Sequence, residues 1–176
     1  MNAQILSTIP ISGKYCEIVF GSGNDLLWVL FTSDDNEEWV GKFELGMKSI
    51  LKTAVYKDNL TCYVLAGGNL YLINLISRQL EFKFEDDAVE EFIYLPDLEL
   101  LAVSNGLSIS IFNVNNHKIE WKSTRISWDG ILFDSYEDGI IKGRLNDLSE
   151  QGCNCPFQFN IYDKQIKVKY NVPPPS

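Results

Sequence analysis

The stretch Leu60–Phe84, LTCYVLAGGNLYLINLISRQLEFKF, returns thirty-nine residues later as Glu99–Ser123, ELLAVSNGLSISIFNVNNHKIEWKS. At that shift, with no gap, Val64 falls on Val103, Gly67 on Gly106 and Asn74 on Asn113. Leu80-Glu81-Phe82-Lys83 falls on Ile119-Glu120-Trp121-Lys122. A fixed period with matched turns and strands marks stacked supersecondary units, each unable to bury its apolar faces alone.

Each unit reads as four strands. In one copy they span 50–56, 60–66, 69–75 and 79–84; in the next, 90–95, 98–104, 107–114 and 117–122. Lys57-Asp58-Asn59 and Gly67-Gly68-Asn69 supply turns rich in residues that tolerate positive φ; Pro96-Asp97 and Asn105-Gly106 supply those of the next copy, Asn-Gly being the strongest short hairpin signal. A third copy begins near Gly130–Asp134, continues at 139–146, and slips register by eight residues over Asp147–Asn154. Asn113 then maps to Asn160, and Ile119-Glu120-Trp121-Lys122 to Ile166-Lys167-Val168-Lys169. The recurrent asparagine (74, 113, 160) is predicted to cap a turn with its side chain. An earlier copy runs through 14–45, with Leu26–Thr32 as a buried strand and 37–45 alternating. It lacks a clear fourth strand. The segment 3–10 is a further strand, available to complete a terminal blade and so protect an edge.

The expectation is an all-β chain of about four antiparallel repeats, forming a small β-propeller or propeller-like arc. One domain spans 1–170, and 171–176 is a Pro-rich tail, since three prolines forbid a sheet interior.

Forty-residue repeats with a late aromatic, Phe82 and Trp121, resemble WD40-type β-propeller blades. No copy has the Gly-His pair of that family, and none ends in Trp-Asp. Ser127-Trp128-Asp129-Gly130-Ile131, Ile141-Lys142-Gly143 and Pro156-Phe157-Gln158-Phe159-Asn160-Ile161-Tyr162-Asp163 resemble the C-terminal part of small uncharacterised bacterial proteins. The propeller resemblance implies a scaffold that binds proteins, and fold alone does not settle function.

Charge and composition narrow the classes. A net charge of −9 and a pI near 4.6 disfavour nucleic-acid binding and suit a basic protein partner. The longest strongly apolar run, Leu26–Phe31, is far short of a membrane span. The opening residues lack a signal-peptide pattern, and four cysteines do not make a disulfide framework, so a cytoplasmic protein with reduced thiols is expected.

Candidate chemistry is sparse, and no enzyme and no cofactor are expected. The single histidine, His117, sits at a hairpin tip. Cys153-Asn154-Cys155 offers two thiolates, too few for a closed metal site. Cys16 and Cys62 read as small buried hydrophobes. Asp129, with Asp134 or Glu137, is the best carboxylate pair for a small hydrolase. The densest acidic cluster is Asp34, Asp35, Glu37 and Glu38 beside Trp39, read as an acidic patch with an aromatic anchor for a basic protein. Glu85-Asp86-Asp87 with Glu90-Glu91 is a second. The leading function is a non-enzymatic protein-binding module. The alternatives are an immunity-type protein that neutralises a basic bacterial toxin, and a carboxylate-dependent hydrolase.

Overall fold

A computed structural model describes residues 1–11, 13–56, 60–128, 130–146 and 154–169. The Lys57-Asp58-Asn59 turn, Asp129, Cys153 and the tail at 171–176 lie outside the described residues. The described residues form strands and no helix. Their sixteen strands make four four-stranded sheets, and the chain divides into two compact units, Met1–Val89 and Glu90–Ser176. Each unit holds two sheets and a core of its own.

In the first unit, β1 (Asn2–Ile5), β2 (Cys16–Phe20), β3 (Leu26–Thr32) and β4 (Glu38–Glu44) form a sheet in the order β1-β3-β4-β2. The segment expected to close a terminal blade is thus one edge of the first sheet. The missing fourth strand is therefore β1, paired with β3, and the unexpected feature is β2, which lies parallel to β4, Cys16 opposite Trp39 and Phe20 opposite Phe43. This is the one parallel pair among the described strands. The chain leaves β1 at one edge and re-enters at the other, so the repeat is complete in strand number but not in strand order.

The second sheet follows sequence order: β5 (Leu51–Val55), β6 (Thr61–Ala66), β7 (Asn69–Asn74) and β8 (Gln79–Lys83). Inward side chains of the two sheets, Val29, Phe31 and Phe43 from one and Val64, Tyr71 and Ile73 from the other, make the core. In the second unit, β9 (Glu91–Leu95), β10 (Leu100–Ser104), β11 (Ile109–Asn113) and β12 (Lys118–Lys122) form the third sheet. The fourth is β13 (Ile131–Glu137), β14 (Ile140–Asn146), β15 (Asn154–Asn160) and β16 (Ile166–Val168). Ile109, Ile111, Ile141, Phe157 and Phe159 lie in its core.

The recurrent asparagine has a physical explanation. Asn74 Oδ1 accepts the amides of Ile76 (3.0 Å) and Ser77 (2.9 Å), while its Nδ2 donates to Glu81 Oε1 (2.8 Å). Asn113 repeats this with Asn115, Asn116 and Glu120, at 3.0, 3.2 and 2.7 Å. Glu81 and Glu120 reach back because each lies at a β-bulge: the β7–β8 and β11–β12 registers both shift there. In the fourth sheet Asn160 still caps, accepting the Tyr162 amide at 2.9 Å. There Lys167 replaces the glutamate and the register of β15 with β16 runs unbroken.

Candidate functional site

The acidic turn is built by Ser33. Its hydroxyl accepts the Glu37 amide (3.0 Å), its amide donates to the Glu37 carbonyl (2.9 Å), and its carbonyl accepts the Asn36 amide (3.1 Å). Asn36 takes φ +60°, a left-handed conformation asparagine tolerates. The result is a closed turn with Asp34, Asp35, Glu37 and Glu38 all exposed. Two of the four are already matched: Asp34 pairs with the Met1 ammonium, and Glu37 with Arg78 at 2.9 Å.

Trp39, expected as the aromatic anchor of this patch, is in the core, 3% exposed. It stacks on Phe31 (centroids 4.2 Å apart) and meets Phe20 edge-on at 6.4 Å, while Phe43 stacks on Phe20 at 4.8 Å. Strand parity is the reason: Trp39 and Phe43 are an even number of residues apart on β4 and share the inward face. It offers the solvent no ring.

The exposed tryptophan is Trp128, 57% accessible, with the Arg125 guanidinium 4.0 Å above its ring. Arg125 Nε also donates to the Ser127 carbonyl (3.1 Å), and Ser127 Oγ donates to the Gly130 and Asn146 carbonyls at 2.9 and 2.8 Å. The segment before β13 is therefore pinned, and it holds a stacked Trp–Arg pair at the surface. Sequence reading did not single out this pair. The signal was there in Trp128 lying outside any alternating strand pattern.

The first unit also carries a cleft of about 620 Å³ bordered by Glu44, Asn69, Lys83, Glu85 and Asp87. Its polar groups are structural. Tyr71 Oη (3.0 Å) and Asn69 Nδ2 (3.1 Å) both donate to the Glu44 carbonyl, tying the end of β4 to β7. Burial, with the Glu44 charge adding to it, pushes the Tyr71 phenol up to about 12. A phenol so held is no general base near neutral pH. Lys83 stands 3.8 Å from the Glu44 carboxylate and 5.3 Å from the Tyr71 ring centroid.

The remaining candidates are placed as follows. Asp134 accepts a two-pronged contact from Arg144, shortest 2.8 Å, and Glu137 faces Lys142 at 3.6 Å, so each carboxylate is engaged by a cation. His117 takes φ +57° and lies flat against Phe112, 6.3 Å between centroids. Arg78 (+58°) and Lys164 (+60°) hold the same left-handed position, four residues after the capping asparagine in each repeat. The histidine is thus one instance of a repeated turn position. Cys62 is buried as expected, its thiol pushed up to about 12 by burial, whereas Cys16 is exposed at the start of an edge strand. Cys155 is buried on β15. Among the described residues no group of three or more His, Cys, Asp or Glu side chains could hold a metal ion, and no helix is long and apolar enough to cross a membrane.

No protein-family profile matches the chain, and no curated protein matches it. Solved structures do. A structure of U3-55K superposes with a TM-score of 0.61 at 12% identity, over 96% of this chain and 54% of that one. The WD40 repeats of RRP9 give 0.60 at 12%, with the same coverage. The β-propeller domain of Myceliophteria thermophila Cps50 (Swd1) gives 0.55 at 11%, over 76% and 40%. The chain spans about half the length of the propellers it matches. With four four-stranded sheets in hand, the likeness establishes the fold: that of WD40-related β-propeller blades.

Proposed function

We propose that this protein is a non-enzymatic protein-binding module. Each unit offers a contact of its own: the first recognises a basic partner through the acidic turn Asp34–Glu38, and the second presents the stacked Trp128 and Arg125. The observation that carries the reading is the closed turn at Ser33, which fixes four adjacent carboxylates at the surface before any partner arrives. Preorganisation of that kind lowers the ordering cost of association. Exposed carboxylates speed and orient encounter with a cationic surface, and a stacked Trp–Arg pair has the composition of an interface hot spot. Asp35 and Glu38 contribute most, because Asp34 and Glu37 each give up an internal ion pair to engage a partner.

The test is affinity capture from the native source at low and high salt, with Asp35→Asn/Glu38→Gln and Trp128→Ala beside the parent. A basic partner retained by the parent, lost at high salt and reduced by both variants supports the module. Capture unaffected by the charge variant rules out the acidic turn, and capture unaffected by Trp128→Ala rules out the tryptophan contact. The expected cost is about tenfold in Kd for the charge pair and about 2 kcal/mol for Trp128→Ala.

A further inference from the structure

We propose that the outward face of the fourth sheet is a docking surface for an extended acidic segment of another protein, laid along the edge strand β16. The chain carries a net charge of −9, yet this face gathers cations. Lys142, Gln158 and Lys167 stand opposite one another across β14, β15 and β16. In the next row Arg144 lies opposite Pro156, whose carbonyl accepts the Lys169 amide at 2.9 Å. All four cations are exposed. Arg144 and Lys142 are balanced by Asp134 and Glu137. Lys167 and Lys169 form no ion pair or side-chain hydrogen bond among the described residues.

The repeat gives a standard for what an outer strand needs. β8 carries Glu81 and Lys83, and β12 carries Lys118, Glu120 and Lys122, so both mix signs. A mixed strand suffices to discourage unwanted pairing along an exposed edge. At the matching place β16 has Lys167 where its counterparts have glutamate, with Lys169 two residues on. Lysine is itself an edge-protecting residue; what edge protection does not require is the further pair of cations, Lys142 and Arg144, on the same outward face. A shallow recess of about 230 Å³ lies between these lysines, with Pro156, Gln158 and Asp134 in its wall, the Asp134 carboxylate being held by Arg144.

β16 ends the sheet order, so its outer backbone edge pairs with no described strand. An extended segment can hydrogen-bond there as a fifth strand and place alternate side chains on the outward face. Carboxylates two residues apart then meet Lys167 and Lys169, which share that face for the same reason. A phosphate backbone fits less well, because the net negative charge of the whole chain opposes a long polyanion.

The probe is a fluorescein-labelled, end-blocked hexapeptide alternating glutamate with valine, and the readout is anisotropy at low salt. The parent is expected to bind it, a glutamine-for-glutamate version is expected not to bind, and Lys167→Gln/Lys169→Gln should weaken binding about tenfold. Lys14→Gln/Lys118→Gln, which removes the same charge elsewhere, should leave binding unchanged. Matching thermal melts show that each variant is folded. Equal weakening by both double variants, or no binding by the parent, overturns the proposal. Tighter binding of a short single-stranded oligonucleotide than of the peptide also overturns it. So does concentration-dependent dimerisation of the parent that Lys167→Gln/Lys169→Gln abolishes, since the occupant is then a second copy of this chain. These variants leave Asp34–Glu38 and Trp128 untouched, so this proposal stands or falls apart from the basic-partner reading.

Discussion

Asn113 shows how much one side chain does in this fold. It closes a turn through two amides and anchors the bulged Glu120 through its own amide. Asn113→Ala is therefore expected to lower stability by about 1–2 kcal/mol, read from the urea midpoint, because two backbone donors and a carboxylate lose their partner together. Four residues on, the left-handed position costs a non-glycine residue energy in every copy. Lys164 takes φ +60° with no side-chain hydrogen bond or ion pair among the described residues, so Lys164→Gly should raise stability by about 0.5 kcal/mol as relief of strain outweighs the entropy of glycine. The glycine swap at Arg78 differs, since it also breaks the ion pair with Glu37. Among the cysteines, Cys16 should react with a thiol reagent in the native protein, and Cys62 only on unfolding, which timed labelling with and without denaturant would resolve. Equal native rates for Cys16 and Cys62 would contradict their placement.

At the scale of elements, hairpins succeed where turn chemistry matches strand twist. Gly67-Gly68 and Asp138-Gly139 each join two strands with both residues at positive φ, the geometry of a two-residue hairpin. Asn105-Gly106, read from sequence as the strongest hairpin signal, instead opens the longer connection from β10 to β11. There Asn105 Oδ1 accepts the Leu107 and Ser108 amides at 3.2 and 3.1 Å. The asparagine side chain competes for the backbone donors and widens the turn. Gly139→Ala should cost about 2 kcal/mol or more, since the residue has φ +76° and a Cβ there would lie 2.1 Å from the Tyr162 ring. A melt within one degree of the parent would contradict that geometry.

For the whole molecule, the balance of charges and buried hydroxyl and thiol groups sets the response to pH. Cys62 and Tyr71 both carry folded-state pKa values near 12, raised by burial from 9.0 and 10.0. Tyr136 is pushed up as well, by burial and by its hydrogen bond to Asp97. In each case the folded state holds its proton after the unfolded chain has lost it. These groups leave stability untouched below pH 9 and reduce it as pH rises from 9 towards 12. The urea midpoint is expected to fall over that window, and Cys62→Ala should flatten the early part of the fall. A midpoint constant to pH 11 would mean that these three groups are less desolvated than their surroundings imply.

The period of thirty-nine, the turn residues and the alternation of strands were legible in the chain, because repeated units must bury repeated faces. β3 is matched residue for residue, and most other strands lie within a few residues of expectation. The acidic turn was legible too, since five consecutive polar residues have no place in a core. Other features needed tertiary structure. β2 pairs with β4 in parallel across a strand order that sequence adjacency does not encode. Trp39 is removed from the surface by aromatic neighbours on two other strands, while Trp128 is left exposed by a linker that Ser127 ties down. Local pattern says which side chains share a face. Only the packing of sheet on sheet decides which face meets another sheet and which meets water.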